Sequence, residues 1–371
     1  MVTLDASHPV SPGFKSAVGD AIDAFLVGQR SKLSAIGPEV STLVDRGAAF
    51  TAGGKRLRPA FCAWGWAAAA GSLHLPDAVV AAAASLDVLH VSALIHDDVM
   101  DASEARRGVP AAHRQFEADH REASGRGDAE AFGRAGAILL GDLLLVWSAE
   151  MLDNAGMDSD ALARVRPWVQ AVRTEVTAGQ YLDVLAQSVD PYARTRTPAG
   201  VAELETLVSR VVTYKSACYT VERPLHIGGA IAGASDAQQA TFSAFGRPLG
   251  RAFQYRDDLL GVFGDEALTG KDSGEDLREG KLTLLVVRTF AGASDAAARR
   301  FADLFGRPDL SADDIETAKT IIVDSGAQAF VEQAIEREFA AAISALDHAP
   351  WLGAASDGLA NLARAAVRRT F

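Results

Sequence analysis

Apolar residues recur at helical spacing along most of the chain, and this pattern predicts a protein built almost wholly from α-helices. The segment 77–100 shows the pattern best, through Val80, Ala84, Leu86, Leu89, Ala93 and Leu94. The intervals of three and four residues among them are typical of a helix, and the set as a whole predicts burial on much of the helix circumference. The spans 161–185 and 201–231 behave similarly, and we find no convincing strand. Such wide apolar stripes are typical of helices in a large bundle.

Polar and glycine-bearing segments predict where the helices are interrupted. Early prolines and a glycine predict a loose N-terminal tail over residues 1–13, followed by a single all-helical domain over residues 14–371. The polar stretch 113–134 predicts a surface connection, and the charged, glycine-rich stretch 264–280 is a candidate flap. Ser311, with an aspartate three residues later, predicts the start of a C-terminal helix.

Composition and charge exclude some function classes. The 371 residues are 49% hydrophobic and 23% charged, as expected for a soluble globule with a large core. The formal net charge of −12 argues against a general nucleic-acid surface. It does not exclude a phosphate ligand, because bound divalent cations invert the local field.

Cysteine usage and hydropathy indicate a cytoplasmic protein. Cys62 and Cys218 are too few for a disulfide framework and fit a reducing compartment. The N-terminus lacks the basic-then-apolar pattern of a signal peptide. The most apolar run, 137–147, is about half the length needed to cross a bilayer and contains Asp142. It predicts a buried helix, and we expect no transmembrane segment.

Two clusters of carboxylates are the first candidate for chemistry. Asp97, Asp98 and Asp101 end the apolar stretch 77–100, and Asp257 with Asp258 repeats the first two offsets. On a helix, residues four apart share a face, so Asp97 and Asp101 stack one turn apart. Oxygen ligands suit magnesium, which is often held by one or two carboxylates plus substrate phosphates. A solvated helix end explains one cluster as well, but two clusters favour a metal site.

Cations accompany the acidic clusters. Two glycines precede Lys55 and Arg58, which would share one helical face and suit an oxyanion. Arg106 and Arg107 follow the first acidic cluster, and His90 lies two helical turns before it. Taken singly, each feature is also explained by a solvated turn, an exposed basic pair or a buried core histidine.

Together these motifs resemble the trans-type polyprenyl (isoprenyl) diphosphate synthases over nearly the whole chain. DDVMD resembles the first aspartate-rich motif of that family, and DDLLGVFGD with the following TGKDSGEDLREGK resembles the second. The resemblance implies an all-α fold of the isoprenoid synthase type, a large helical bundle around a deep central cavity. It also implies a homodimer.

The resemblance assigns roles to matching positions. The residues implied to bind isopentenyl diphosphate are Lys55, Arg58, His90 and Arg107. Those implied to bind the allylic diphosphate are Arg106, Lys215, Ser216, Gln254, Lys271 and Lys281. The implied magnesium ligands are Asp97, Asp101 and Asp257, with Asp98 and Asp258 in support. We expect three magnesium ions per active site, with manganese as a substitute.

The implied reaction is magnesium-assisted ionisation of the allylic substrate. The residues counted as catalytic are Asp97, Asp98, Asp101, Asp257, Arg106, Lys215 and Lys271. The three cations among them would stabilise the charge that grows on the leaving diphosphate. The double bond of isopentenyl diphosphate then attacks the allylic cation, and the released diphosphate accepts the final proton, so no protein nucleophile is required.

Side chains upstream of Asp97 bear on product length. Ser92 and Ala93, five and four residues before it, are small, whereas short-chain (C15) members of the family often carry an aromatic residue there. Small side chains there favour a product longer than C15. Leu89 and Trp147 would form the floor of the cavity, where the growing chain stops, and C20 geranylgeranyl diphosphate is the expected product. Trp147 is explained equally well as core, which leaves C25 and longer products open, and a C15 synthase is a further alternative.

The sequence departs from the family pattern at one position, and two alternative functions stay open. Gly261 occupies the third aspartate position of the second motif, and Asp265 or Asp276 would contribute there indirectly. A class I terpene cyclase would share the scaffold but lack the second-substrate clamp. A non-catalytic partner subunit usually loses one aspartate-rich motif, and this chain has both apart from Gly261.

Overall fold

The computed structural model describes residues 2–106, 108–264, 274–347, 349–351 and 353–368. Within these ranges the chain is overwhelmingly helical, so the predicted all-α fold is confirmed. The strands of the described residues are two residues long: β1 Val2–Thr3 pairs antiparallel with β2 His74–Leu75, and β3 Ala105–Arg106 with β4 Val109–Pro110. The hydropathy pattern missed them because two residues are too few to show an alternation.

The helices of the first part of the chain are α1 Pro12–Ser34, a 3₁₀ turn Pro38–Val40, α2 Ser41–Thr51, α3 Leu57–Ala70, α4 Asp77–Met100, α5 Ala112–Glu122, α6 Ala129–Asp153 and α7 Ser159–Gln187. Those that follow are α8 Pro191–Arg194, α9 Pro198–Val211, a π-helix Val212–Glu222, α10 Arg223–Ala232 and α11 Asp236–Phe263. The remaining described helices are α12 Glu275–Arg278, α13 Leu284–Gly292, α14 Asp295–Leu304, α15 Ala312–Asp324, α16 Ala327–Ser344 and α17 Gly353–Val367.

The chain divides into two compact units. The first comprises Met1–Arg166, Pro224–Ser235 and Trp351–Asn361, and the second comprises Pro167–Arg223, Asp236–Pro350 and Leu362–Phe371. The expectation of one domain over residues 14–371 stays a prediction.

Helix α4 forms the core of the first unit. It packs against α1, α3 and α6, and most of its side chains between Val79 and Ile95 are buried. Alanine and leucine, the strongest helix formers, fill this segment, and its small side chains let neighbouring helices pack closely. By length and composition α4 and α6 are the two described helices that could span a membrane, but 72% of the apolar window of α4 is buried inside the fold.

Helix α6 differs from its prediction as a buried helix. Its apolar window is only 44% buried, and Ile138, Leu139 and Val146 are 43%, 61% and 62% exposed. The run 137–147 is apolar on every side of the helix, whereas only the side carrying Leu140, Leu144 and Trp147 meets the core. Periodicity could not reveal this, because a continuous apolar run has none.

The predicted loose N-terminal tail is wrong for residues 2–9. Leu4 is 3% exposed, and strand β1 pairs with β2. The indole of the buried Trp64 donates a hydrogen bond to the Pro9 carbonyl at 2.9 Å, and Asn361 donates to the Ala6 carbonyl at 2.8 Å. The segment is held because it buries an apolar side chain and satisfies polar groups that the helices would otherwise leave unpaired.

The predicted surface connection over 113–134 contains helix α5. Phe116 is 4% exposed and lies 4.6 Å beneath the guanidinium of Arg46 on α2, which also contacts Asp119. Tertiary packing of Phe116, together with the buried Ala112, His113 and Glu117, therefore stabilises a helix whose residues are mostly polar. The connection itself is reduced to the residues between α5 and α6.

Helix α11 forms the core of the second unit, packing against the π-helix and α16. The predicted helix over 201–231 is confirmed as helical backbone, but its middle is wound as a π-helix between α9 and α10. Helix α15 begins where predicted, because Ser311 and Asp314 form a reciprocal capping box.

Candidate functional site

The first acidic cluster lies at the C-terminal end of α4. Asp97 and Asp101 are half-buried, His90 is half-buried two turns earlier, and Asp98 is 1% exposed. The C-terminus of a helix carries a partial negative charge, which adds to the charge of the carboxylates. The end of α4 is therefore a strongly anionic position that favours a bound cation.

Asp98 is already paired within the protein. Arg106, in strand β3 of the short hairpin that follows α4, donates from Nε to Oδ1 of Asp98 at 2.8 Å and makes a second contact through Nη2. The pair borders a cavity of about 190 Å³ whose other walls include Phe50, Leu94 and Ile95. The structure thus joins two predicted site residues, one expected to support a metal and one expected to bind a diphosphate.

The glycine-rich segment before α3 places its cations differently from the prediction. Helix α3 begins at Leu57, so Lys55 lies exposed in the preceding loop and shares no helical face with Arg58. Gly53 and Gly54 adopt φ angles of 78° and 93°, in the left-handed region that favours glycine. The predicted arrangement on one face is wrong because these turns end the preceding helix before Lys55.

Arg56, which sequence reasoning left aside, anchors this loop. It also has a left-handed φ of 52°, is 5% exposed, and forms an ion pair with Asp87, which is 7% exposed. It donates a further hydrogen bond to the Thr51 carbonyl at 2.9 Å. Asp87 lies on α4 one turn before His90. The buried pair therefore fixes the cationic loop to the helix that carries His90 and the first acidic cluster.

The second acidic cluster lies on α11 in a hydrogen-bonded network. The Ser216 hydroxyl donates to Oε1 of Gln254 at 2.5 Å, and Nε2 of Gln254 donates to Oδ1 of Asp258 at 2.8 Å. Burial raises the pKa of Asp258 to about 7 against the opposing charge of Lys281, and the Asp276 carboxylate adds to the rise. Asp257 is half-buried. Three residues predicted from separate motifs are thus brought into direct contact.

Lys215 has a partner that the sequence did not reveal. Its Nζ lies 2.5 Å from Oδ2 of Asp183 on α7, and the Asp183 side chain is 2% exposed. A buried carboxylate without a cation is costly, so each group of this pair needs the other in this state. In the sequence Asp183 is a lone aspartate between Leu182 and Val184, and this pattern is too weak to identify it as a candidate site residue.

The Asp276 carboxylate lies against Gly261, the residue at the third aspartate position of the second motif. A Cβ added at Gly261 would collide with the Asp276 carboxylate, which is 5% exposed. The Gly274 amide donates to the Gly261 carbonyl at 3.2 Å, and Nζ of Lys281 lies 3.9 Å from Oδ1 of Asp276. Glycine at 261 is therefore what lets Asp276 reach the backbone of α11.

The residues expected to set product length lie in or near the core of the first unit. Leu89, Ser92 and Trp147 are 3%, 2% and 3% exposed, and Ala93 is half-buried. The Ser92 hydroxyl donates to the Gly141 carbonyl of α6 at 2.7 Å. The Trp147 ring meets the Phe25 ring edge-on, 6.5 Å between centroids. Their role in product length stays a prediction.

Several predicted residues cannot be placed. Arg107, Lys271 and Asp265, and with them most of the candidate flap, lie outside the described residues. In the part of the chain that the structure describes, no three carboxylate, histidine or cysteine side chains form a complete metal-ligand set. The carboxylates present still fit magnesium, which takes oxygen ligands and is usually completed by water and substrate phosphates.

Comparison with known proteins decides the family. The family model described as polyprenyl synthetase matches residues 44–322. The geranylfarnesyl diphosphate synthase of Aeropyrum pernix is 34% identical over 314 residues, covering 84% of this chain and 88% of that protein. The chain belongs to the polyprenyl synthetase family.

Other members of this family support the assignment. The geranylgeranyl diphosphate synthase of Methanosarcina mazei is 31% identical over 283 residues, covering 76% of this chain and 75% of that protein. The crystal structure of the geranylgeranyl pyrophosphate synthase of Corynebacterium glutamicum, complexed with isoprenyl diphosphate and magnesium, is 38% identical with a TM-score of 0.90. It covers 99% of this chain and 100% of that one. The prediction of a trans-prenyl diphosphate synthase is thereby confirmed.

Gly261 offers a direct test of the second motif of this synthase. We expect Gly261→Asp, which restores the third aspartate of the motif, to lower rather than raise prenyl transfer, because its side chain would displace the Asp276 carboxylate. The rate of prenyl transfer is measured with saturating substrates, and unfolding is followed by circular dichroism. The matched control is Gly261→Asp with Asp276→Gly, which frees the space and should recover part of the rate. A Gly261→Asp enzyme as fast as the parent would contradict the steric account.

Proposed function

We propose that this synthase condenses isopentenyl diphosphate with an allylic diphosphate, using magnesium, to make geranylgeranyl diphosphate. The observation that carries the proposal is that acidic helix ends stand beside cations in both units: Asp98 contacts Arg106, and the Asp258 network leads through Gln254 to Ser216, next to Lys215. Carboxylates that could hold magnesium thus accompany side chains that could hold phosphate oxygens. A relative described with isoprenyl diphosphate and magnesium supports this choice of ligands.

The residues proposed to bind magnesium are carboxylates, and those proposed to bind the leaving diphosphate include cations. Magnesium would be held by Asp97, Asp101 and Asp257, with Asp98 and Asp258 in support, and when bound it polarises the phosphoryl oxygens of the leaving group. Arg106 and Lys215 would leave their carboxylate partners to bind the diphosphate that departs. Three magnesium ions, with manganese as a substitute, are the expected complement.

The remaining chemistry depends on orientation and on exclusion of water. Lys55, Arg58 and His90 would hold the diphosphate of isopentenyl diphosphate, so that its double bond faces the allylic carbon as the C–O bond breaks. Arg56 supports this set by fixing the loop to α4. Buried apolar surface around the carbocation would keep water from quenching it to an alcohol.

The proposed C20 product is supported by small side chains on α4. Ala93 is half-buried and Ser92 is tied to the backbone of α6, so neither side chain fills much space beside a growing prenyl chain. Trp147 and Leu89 would supply a lower limit. One relative is a geranylfarnesyl (C25) synthase, which keeps a longer product as the second candidate.

The catalytic proposal is tested by product analysis. Purified protein is incubated with magnesium, isopentenyl diphosphate and a C5, C10 or C15 allylic diphosphate, and the products are dephosphorylated and resolved by chromatography. We expect chain elongation to C20 that is abolished by chelation of the metal. Elongation that ends at C25 would replace the proposed product, and an absence of elongation with every primer would overturn the proposal.

The length limit is tested by two substitutions on different helices. We expect Ala93→Phe to shorten the main product, because an aromatic ring would fill the space beside α4, and Trp147→Ala to lengthen it by removing the floor. Products are compared at equal conversion. If Trp147→Ala keeps the parent product while its melting temperature falls, Trp147 serves the core alone; an unchanged product from Ala93→Phe would refute the tunnel beside α4.

We also propose that the synthase is a cytoplasmic homodimer. The exposed face of α6 presents Phe132, Leu139 and Val146, which are 48%, 61% and 62% exposed and stand seven residues apart. A spacing of seven keeps apolar side chains on one side of a helix, as at a helix–helix seam. In a symmetric dimer the same surface of both copies forms the interface, so the partner proposed for this stripe is the same stripe of a second copy.

The proposed cytoplasmic location is supported by the cysteines. Both are free and buried, in keeping with a reducing compartment.

The dimer is tested by sedimentation. We expect the parent protein to sediment as a dimer and the variant Leu139→Glu with Val146→Glu to shift to a monomer, because buried carboxylates would face one another across the seam. Val27→Glu, at a position on α1 that is 71% exposed, is the matched control and should stay dimeric. A parent protein that sediments as a monomer at micromolar concentration would refute this interface.

A further inference from the structure

A buried carboxylate closes the π-helix of the second unit. Glu222, its last residue, is 0% exposed. Arg247 of α11 donates to both of its oxygens, from Nε to Oε2 and from Nη2 to Oε1, each at 2.9 Å. Two parallel hydrogen bonds of this kind fix orientation as well as distance. The end of the π-helix is therefore locked to α11.

The same carboxylate is linked to α7. Arg223 donates to Oε1 of Glu222 at 3.5 Å and to both oxygens of Glu175 at 2.8 and 2.6 Å. Its guanidinium also lies 5.5 Å from the centre of the Trp168 ring. Burial raises the pKa of Glu222, but the hydrogen bonds from Arg247 and the two guanidinium charges outweigh it and leave that pKa below its usual value. Glu222 is consequently ionised at neutral pH.

The three elements joined in this way, α7, the π-helix and α11, also carry Lys215, which is proposed to bind the allylic diphosphate, and the residues that it and Ser216 contact. Asp183 follows Glu175 on α7, Gln254 follows Arg247 on α11, and Lys215 precedes Glu222 within the π-helix. The elements are thus joined at two levels. At one level Lys215 contacts Asp183 and Ser216 contacts Gln254. At the other level, about two turns away, Glu222 forms its ion pairs with Arg247 and Arg223.

Between the two levels the backbones are pressed together. A Cβ added at Gly179 of α7 would collide with the backbone of Lys215, and one added at Gly250 of α11 would collide with Ala217. π-helices are usually single-turn insertions, and a longer one persists only where its surroundings impose it. Rewinding to an α-helix would turn Lys215 and Ser216 in other directions, because the two helix types differ in residues per turn.

We propose that Glu222, clamped by Arg247 and Arg223, is a positioning residue that sets the register of the π-helix and so keeps Lys215 and Ser216 directed at the allylic diphosphate. This inference rests on the role proposed above for Lys215. Glu222 acts only through the segment that it ends, and Arg247 contributes by holding it.

The test uses Glu222→Gln and Arg247→Gln in the full-length enzyme. Glu222→Gln leaves the guanidinium of Arg247, which is 45% exposed, in contact with water, whereas Arg247→Gln leaves the buried Glu222 carboxylate with Arg223 and Cys218 as partners. Because the two variants disturb the pair from opposite sides, the test stays valid if one of them folds poorly. We expect kcat to fall on the order of 100-fold in each variant, the size of effect that a misplacement of about 1 Å produces. The KM for isopentenyl diphosphate should not change, because its proposed ligands Lys55, Arg58 and His90 belong to the first unit.

Arg251→Gln is the matched control. Arg251 lies one turn along α11 and donates to Glu338 of α16 at 2.7 Å, so its loss removes an ion pair from the same helix without touching the π-helix. Melting temperatures are measured for all variants, and kcat is measured well below them. Arg247→Gln and Glu222→Gln enzymes that melt earlier but keep the kcat of the Arg251→Gln control would show a merely structural pair and overturn the inference.

Two further variants separate this inference from the proposed function. The double variant Glu222→Gln with Arg247→Gln should be no slower than Glu222→Gln alone, because both act through one pair; multiplied losses would overturn that linkage. Lys215→Gln should slow the enzyme at least as much. If Lys215→Gln keeps the parent kcat, the proposed role of Lys215 is wrong, whereas a slow Lys215→Gln beside normal Glu222→Gln and Arg247→Gln enzymes refutes the positioning alone.

Discussion

The pairing of buried carboxylates with arginine or lysine is the constraint on which the rest of this structure depends. Asp87 pairs with Arg56, Asp98 with Arg106, and Asp183 with Lys215. Removing one partner from such a pair costs about 3–5 kcal/mol, because the remaining charge stays buried without compensation. Each pair therefore ties together the elements that carry it, and the ties run between a loop and a helix, a hairpin and a helix, or two helices.

The same ion pairs bear on the proposed binding of substrates. Arg106 and Lys215 contact carboxylates in this state, so under the proposed function a diphosphate would compete with Asp98 for Arg106 and with Asp183 for Lys215. A cation that bound the carboxylates at the same time would remove that competition, because it would satisfy the charges that the guanidinium and ammonium groups leave behind. Metal and diphosphate would then each favour the binding of the other.

Close backbone contacts complement the ion pairs. Glycine at 261 admits the Asp276 carboxylate beside α11, and glycine at 179 and 250 admits the π-helix between its neighbours. The ion pairs connect particular elements, and glycine at these three positions allows the connected backbones to approach closely. At the third aspartate position of the second motif, the glycine thus leaves room for a carboxylate that comes from another part of the chain.

Local chemistry was enough to predict much of this protein. Helical spacing over 77–100 predicted α4, because a regular pattern of apolar residues on a strong helix-forming segment needs no long-range information. The motifs around Asp97, Asp257 and Lys215 indicated the family for a related reason: each is a short stretch whose residues stand at fixed spacings, which the sequence shows directly.

Tertiary structure decided what spacing cannot encode. Asp183 contacts Lys215, 32 residues away in the chain, and Asp276 lies near Lys281. Arg56 is buried in its pair with Asp87, whereas the preceding Lys55 is exposed. The exposed stripe of α6 and the burial of Leu4 likewise depend on which surfaces meet. A hydropathy pattern states that a side chain prefers burial, but only the packed fold determines whether a partner is there to bury it.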